Sequence, residues 1–270
     1  MSKLSHQCVS LDVPGLTAHV SLYVHGERDR FVSQRLRETG IWEPYESELV
    51  LSLLQPGDVF VDVGANIGYF SVLAATRVGG GGRVYAFEPD ADNYRLLCAS
   101  VHANGFDAIV QAEEAGLADY TGTATLYLSA DNLGDHQVFA TDERRAASDI
   151  TLLNGSEFLG ARVSRVDLVK IDTQGSEYAV VKGLMPLLQS PAETPALIVE
   201  LTPLSLRQGG ASGRALIELL AQLRQPLWII DHVAHRLVAS SAAELAQWCD
   251  DVDAVPGDAG FMNILVGQAP

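Results

Sequence analysis

The sequence predicts an α/β fold, a doubly wound, mostly parallel seven-stranded sheet preceded by an N-terminal cap extension. Three observations predict it. Val59–Val63 is a short β-branched run that ends in a glycine turn, Gly64 and Gly68, and a helical pattern follows with Ile67, Phe70, Ser71, Ala74 and Ala75 on one side. From residue 56 onward, short apolar runs alternate with helical patterns. Acids stand at the ends of several of these runs, Glu88, Asp172 and Glu200 among them, where ligands of open α/β sheets sit.

Taken in order, residues 1–55 precede the core and read as a cap over a ligand site. Residues 17–24 alternate as a strand or hairpin arm, and 29–38 is a charged helix. Residues 46–54 form a helix whose Leu49, Val50, Leu53 and Leu54 can pack on the sheet. Trp42 and Tyr45 are expected near the rim of the site. Residues 56–270 form the main domain. Its strands are expected at 59–63, 84–87, 108–111, 166–171, 196–199, 227–230 and 261–266, with a peripheral strand at 124–128. Helices are expected at 90–103, 175–188, 213–223 and 242–249. Residues 130–154 read as a long irregular loop holding Asp131, Asn132, Asp135, His136, Arg144 and Arg145. Loops of that length inside a compact domain are usually functional.

Composition narrows the function classes. The chain has 270 residues with 47% hydrophobic and 19% charged, ordinary for a large single α/β domain. Its 18 Lys and Arg against 34 Asp and Glu give a net charge of −16, which repels nucleic acid and anionic lipid. Arg28, Arg30, Arg35 and Arg37 make the one basic cluster, with acids interleaved. No apolar run reaches the ~18 residues of a membrane span, and the start of the chain lacks the pattern of a signal peptide. Cys8, Cys98 and Cys249 are far apart and have no metal or disulfide spacing. A cytoplasmic protein is the simple expectation. Oligomeric state stays open, a homodimer included.

The turn after the first core strand narrows the ligand. A dinucleotide fingerprint needs a second glycine where this chain has Asn66, which disfavours an NAD-dependent oxidoreductase. Asp62 beside the turn suits a cationic ligand. S-adenosylmethionine carries an ammonium and a sulfonium and no phosphate. Glu88, at the tip of the second strand, is placed to accept both ribose hydroxyls.

Three stretches carry a family resemblance: Val61-Asp62-Val63-Gly64-Ala65-Asn66-Ile67-Gly68-Tyr69, Phe87-Glu88-Pro89, and Asp167 through Asp172-Thr173-Gln174-Gly175-Ser176-Glu177. With Gly40-Ile41-Trp42-Glu43-Pro44 ahead of them, they resemble the FkbM family of S-adenosylmethionine-dependent methyltransferases. That resemblance spans roughly residues 38–205. It implies a class I, Rossmann-like methyltransferase fold and mostly O-methylation of small molecules, sugars or natural products. By position it implies Asp62, Gly64, Ala65, Asn66 and Gly68 around the methionine half of the cofactor, Glu88 at the ribose, and Glu114 and Asp119 near the adenine. One departure is Gln174, where the family often has glutamate.

Methyl transfer to a hydroxyl requires an aligned nucleophile and a group to take its proton. His136 is the first candidate base, since imidazole titrates near neutral pH and the residue sits in the long loop beside Asp135. Asp172 is the second. Asp172 and Glu200, with Asp135 or Asn132, could instead hold Mg²⁺ through oxygen ligands. His232 and His235 read as a turn without a second ligand cluster. The expected acceptor is a small hydroxylated molecule, with neither nucleic acid nor membrane as partner. Competing readings are an N-methyltransferase or macromolecule methylase, and a non-catalytic adenosylmethionine-binding module.

Overall fold

A computed structural model gives the architecture and describes residues 6–129, 131–139, 145–189 and 194–270. Arg144, paired with Arg145 in the sequence reading, lies outside the described residues, as do the first residues of the N-terminus. The order begins with β1 (His6–Ser10), β2 (Ser21–His25), α1 (Val32–Thr39) and α2 (Pro44–Leu53). Next come β3 (Val59–Val63), α3 (Tyr69–Val78), β4 (Arg83–Phe87), α4 (Ala91–Ala103), β5 (Val110–Glu113), β6 (Gly116–Ala118), β7 (Gly122–Leu128) and β8 (Ala146–Asn154). The second half holds α5 (Gly155–Gly160), β9 (Leu168–Ile171), α6 (Glu177–Leu188), β10 (Ala196–Leu201), α7 (Pro203–Gln208) and α8 (Gly213–Ala221). It closes with β11 (Leu227–Asp231), β12 (Arg236–Ser240), α9 (Ala242–Ala254) and β13 (Met262–Val266).

The central sheet runs β12-β11-β13-β10-β9-β3-β4-β5. Pairs from β10 through β5 are parallel, and β13 inserts antiparallel between β10 and β11. The α/β, mostly parallel fold is thus present, with eight strands where seven are expected. The extra one, β12, folds back on β11 as a hairpin, and its sequence is too polar to stand out as a buried strand. Both faces of β3 are covered, which is why it reads as a continuous apolar run. Phe60 packs in one core with α3, α4 and the N-terminal elements; Val61 and Val63 pack in the other with α6 and α8. The hairpin of β1 and β2 contributes Leu22 and Val24 to the first core, so residues 6–55 share that core with the sheet.

Residues 146–154, expected as the end of an irregular loop, form β8. It is the middle strand of a separate sheet ordered β6-β8-β7. Its alternation is confined to Ile150 and Leu152, which are buried, while residues 146–149 face solvent. Half a strand of polar surface hid it from a pattern reading. This small sheet turns Leu126, Ile150 and Leu152 inward and forms a wall beside the strand tips.

Helix α4 starts where its cap dictates. Asp90 accepts from the backbone N–H groups of Asp92 and Asn93 at 3.0 and 2.9 Å. That fixes the direction in which α4 leaves β4, and therefore where Glu88 and Asn93 stand.

Candidate active site

A cavity of about 590 Å³ opens at the tips of β3, β4, β9 and β10. One end is built by the glycine turn. Gly64 has φ +82°, and a Cβ there would sit 1.9 Å from the Asp172 carbonyl oxygen. Glycine is needed because the turn lies against the tip of β9. The N–H groups of Gly64 and Ala65 both donate to the Phe87 carbonyl at 3.0 Å. Asn66, left-handed at φ +50°, donates its N–H to Glu88 Oε2 at 2.8 Å, and Asp90 N–H donates to Oε1 at 2.9 Å.

Glu88 is therefore clamped at the cavity wall by these two N–H groups and the Asn93 side chain, with acceptor capacity left for a ligand hydroxyl. Burial pushes its carboxyl up to about 8, against the pull of the two backbone donors.

Gly64, Ala65, Asn66 and Glu88 line the cavity. Asp62 does not. Its carboxylate is buried under α3 and accepts from Ser71 Oγ at 2.6 Å, and burial raises it to about 6, against the nearby Lys170. Gly68 is also set back. It starts α3 at φ +87°, where a Cβ would meet Leu97 Cδ1 at 2.5 Å. Glu114 is exposed and Asp119 pairs with Lys182 at 2.7 Å, so neither reaches the cavity. Gly116, Leu117 and Ala118, between them, do reach it, beside the inward face of the small sheet. The wall next to Glu88 is apolar there, suited to a flat ring. The spacing from strand to acid is loose, so the sequence pointed to the flanking acids and missed the apolar residues between them.

The other end is polar. Asp172 accepts from Lys170 Nζ at 3.0 Å and from Gln174 Nε2 at 2.8 Å. The same Gln174 nitrogen donates to Glu200 Oε2 at 2.8 Å. Gln174 is left-handed at φ +53°, in a turn braced by Glu177, which accepts from the N–H groups of Thr173 and Gly175 at 2.9 and 3.0 Å. Burial works to raise Asp172, but Lys170 and Gln174 outweigh it and hold the carboxyl below its usual range.

The Mg²⁺ expectation is corrected by this arrangement. Asp172 and Glu200 are brought together, but across an amide nitrogen and beside an ammonium, which fill the place of a cation. Among the described residues no group of three acids, histidines or cysteines is set to hold a metal. His232 is half-buried near Glu46, at 3.9 Å, while His235 is exposed and stacks on Tyr45 at 5.5 Å.

Behind Asp172 lies a buried charge network. Lys170 Nζ is 3.6 Å from Glu46 Oε1 and 4.5 Å from the Phe70 ring centroid. Glu46 Oε2 accepts from Asn263 Nδ2 at 2.6 Å. Glu43, which the sequence reading passed over, starts α2 with φ +43° ahead of Pro44 and lines the cavity. Glu43 Oε2 and Glu46 Oε1 are both sealed from solvent, and neither accepts a hydrogen bond. Ser176 Oγ and Thr202 Oγ1, also on the cavity wall, are sealed and unpartnered. Thr202 follows the tip of β10, so the strand-tip rule would have found it.

The segment 131–139 crosses above. Arg30 N–H donates to the Asp131 carbonyl at 3.0 Å, and Asn93 Nδ2 donates to the Leu133 carbonyl at 2.9 Å. Asp135 pairs with Arg145 at 2.8 Å. His136 lines the cavity, but its Nδ1 accepts the Ser129 N–H at 3.0 Å. The accepting nitrogen is taken, so the neutral ring carries its proton on Nε2 and offers the cavity a donor. Burial lowers its pKa further below the ordinary histidine range. This geometry departs from the expectation that His136 is the base.

Comparison with known proteins gives the family. The family model for the Methyltransferase FkbM domain matches residues 62–227. The hexuronic acid methyltransferase AglP of Haloferax volcanii is 30% identical over 193 residues, covering 67% of this chain and 75% of that protein. The AMB antimetabolite synthetase AmbE of Pseudomonas aeruginosa is 28% identical over 240 residues, covering 75% of this chain and 10% of that much longer protein. Among solved structures, a methyltransferase FkbM from Methylobacillus flagellatus superposes with a TM-score of 0.44 at 16% identity, covering 72% of this chain and 49% of that one. The matched region runs from Asp62 in β3 to Leu227 at the start of β11 and takes in most of the cavity wall, so the chain belongs to the FkbM methyltransferase family.

Proposed function

We propose that the protein transfers a methyl group from S-adenosylmethionine to a hydroxyl of a small, polyhydroxylated, sugar-like acceptor. The observation that carries this is the two-ended cavity. One end has the Gly64–Asn66 turn, Glu88 and an apolar wall. The other has Glu43, Ser176 and Thr202 with buried oxygens that lack partners. The first end fits the cofactor. Glu88 can accept from two ribose hydroxyls, the small-sheet wall can cover an adenine, and a volume of about 590 Å³ is in the ordinary range of small-molecule sites. When bound, S-adenosylmethionine supplies a methyl carbon already activated by a cationic sulfur.

The chain's own residues then orient and dry the reaction. Ser176 and Thr202 lie on the cavity wall, and on turning their sealed hydroxyls toward it they hydrogen-bond acceptor hydroxyls, which supplies the partner each oxygen lacks. Phe31, Trp42 and Phe261 line the mouth and present flat apolar faces to a sugar ring. Asp172, fixed by Lys170 and Gln174, keeps a negative charge near the cationic end of the donor. The hexuronic acid methyltransferase relative supports a sugar class, and the net charge of −16 disfavours nucleic acid.

Calorimetry with S-adenosylhomocysteine, followed by mass spectrometry of methyl glucosides and methyl glucuronosides incubated with enzyme and S-adenosylmethionine, tests the reading. Binding and a methyl-mass gain on a sugar are expected. A protein that binds no S-adenosylhomocysteine sinks the cofactor assignment. One that binds it and methylates only amines or polymers sinks the acceptor assignment.

A further inference from the structure

We infer that Glu43, backed by Glu46, is the group that takes the proton from the acceptor hydroxyl. The inference rests on the methyl-transfer reading above and names the base within it.

Position comes first. Glu43 lines the cavity beside Trp42, on the same wall as Asp172, Glu200 and Thr202. Its backbone is held left-handed at φ +43° immediately before a proline, where the preceding residue normally stays extended. A conformation of that kind persists only where surrounding packing enforces it, and such residues cluster at functional sites. Here it aims a carboxyl inward from the start of α2.

Accounting for the neighbouring acids singles Glu43 out. Asp172 is committed to Lys170 and Gln174, and Glu200, which burial raises as it does Glu43, is tied to Gln174 and to Asp172 itself. Glu88 is committed to two backbone N–H groups. Glu46, fully buried behind Glu43, has one oxygen on Asn263 and the other 3.6 Å from Lys170. What remains is Glu43 Oε2 together with Glu46 Oε1, both sealed and both without a donor. The two side chains lie within hydrogen-bonding reach of each other. Two facing carboxylates repel; one proton shared between them satisfies both oxygens. A proton arriving from the cavity side meets Glu43 first, because Glu43 lines the cavity and Glu46 does not.

Basicity agrees with the geometry. Burial, then the Glu46 charge and the Asp172 charge, raise Glu43 well above the ordinary glutamate range, against Lys170. Asp172 is held low and is a poor proton acceptor, and His136 has its accepting nitrogen occupied. Other groups facing the pair are Asp62, Tyr69, Glu200 and His232. In the step, the acceptor O–H bond breaks and its proton goes to Glu43. The freed oxygen electron pair forms the O–CH₃ bond. The methyl–sulfur bond breaks with its electrons left on sulfur, giving a methyl ether and neutral S-adenosylhomocysteine. The proton leaves Glu43 for solvent as the products depart.

Two measurements test this. Carbon NMR of protein labelled at the glutamate carboxyl carbon reads protonation without any acceptor. Among the resonances titrating above the ordinary range in the wild type, those of Glu88, Glu177 and Glu200 included, one that titrates well above it and is missing in Glu43→Gln is expected. A Glu43 resonance titrating as an ordinary glutamate overturns the proposal. With methyl β-glucuronoside as the acceptor probe, Glu43→Gln should lower kcat about 10²–10⁴-fold and erase the rise of rate with pH, with S-adenosylhomocysteine affinity unchanged. Glu200→Gln should lower the rate and keep that rise. A Glu43→Gln enzyme that keeps the rise overturns the proposal as well. A wild type that binds S-adenosylhomocysteine and methylates no sugar fails the acceptor reading instead, and the NMR titration still decides the base.

Discussion

Glu88 shows how one side chain can serve structure and ligand together. Its two oxygens receive the N–H groups of Asn66 and Asp90, so it sets the turn before any ligand arrives. Glu88→Gln puts an amide NH₂ against one of those donors and takes away a carboxyl oxygen that a ribose hydroxyl would meet. Affinity for S-adenosylhomocysteine is expected to fall by about 2–3 kcal/mol, roughly 30- to 150-fold, by calorimetry. Affinity within a few-fold of wild type would remove the ribose assignment. This residue was legible in the sequence because an acid at the tip of the second strand has few other uses. Glu43 was not legible. Nothing local says that a glutamate before a proline is buried, since that depends on Lys170 and Asp172, which a distant part of the chain supplies. Asp62 misled for the opposite reason. Its place beside the glycine turn suggested a ligand contact, and the strand alternation instead turns it under α3 toward Ser71.

At the scale of elements, the strands buried on both faces were legible from their composition, β3, β4, β9 and β10 above all, because two-sided burial leaves room for few polar residues. The pieces that were not legible, β1, β6, β8, β12, α5 and α7, are short or half-exposed. Their identity is decided by partners and not by local pattern. The segment 131–139 depends on α4 in the same way. Asn93 donates to the Leu133 carbonyl and shares a 2.7 Å hydrogen bond with His25 Nε2, so one side chain joins β2, α4 and the segment over the cavity. Asn93→Ala leaves two buried groups without partners, at a cost of about 1–3 kcal/mol. Hydrogen exchange should quicken across 131–139, with weaker S-adenosylhomocysteine binding and little change at β9 and β10. Uniform exchange across the whole chain would mean that Asn93 supports the fold at large.

For the whole molecule, the buried acids set how stability responds to pH. Burial raises Glu88 to about 8 and Asp62 to about 6, and it raises Glu43, Glu177 and Glu200 as well. An acid raised on folding binds a proton that the unfolded chain has already released. Its stabilisation is complete below the ordinary carboxylate range and is lost as pH climbs toward the folded value. Asp172, held low by Lys170, runs the other way and contributes only above its unfolded value. The raised acids outnumber it, so the thermal midpoint of the ligand-free protein should be highest near about pH 4 and fall from there toward about pH 8. Each group contributes up to about 1.4 kcal/mol per pH unit. Glu88→Gln should make the fall shallower; a scanning-calorimetry profile identical to wild type would show that Glu88 ionises normally. Sheet order has a separate consequence, for synthesis. Strand β13 lies between β10 and β11, yet it is made after both. While the ribosome is still translating residues 232–261, β10 and β11 have emerged or are emerging with bare edges turned toward a gap. Each offers a row of unpaired backbone groups to any neighbouring chain. The nascent protein is therefore most prone to mispairing before β13 is made, and Asn263, arriving with β13, joins Glu46 only when that gap closes.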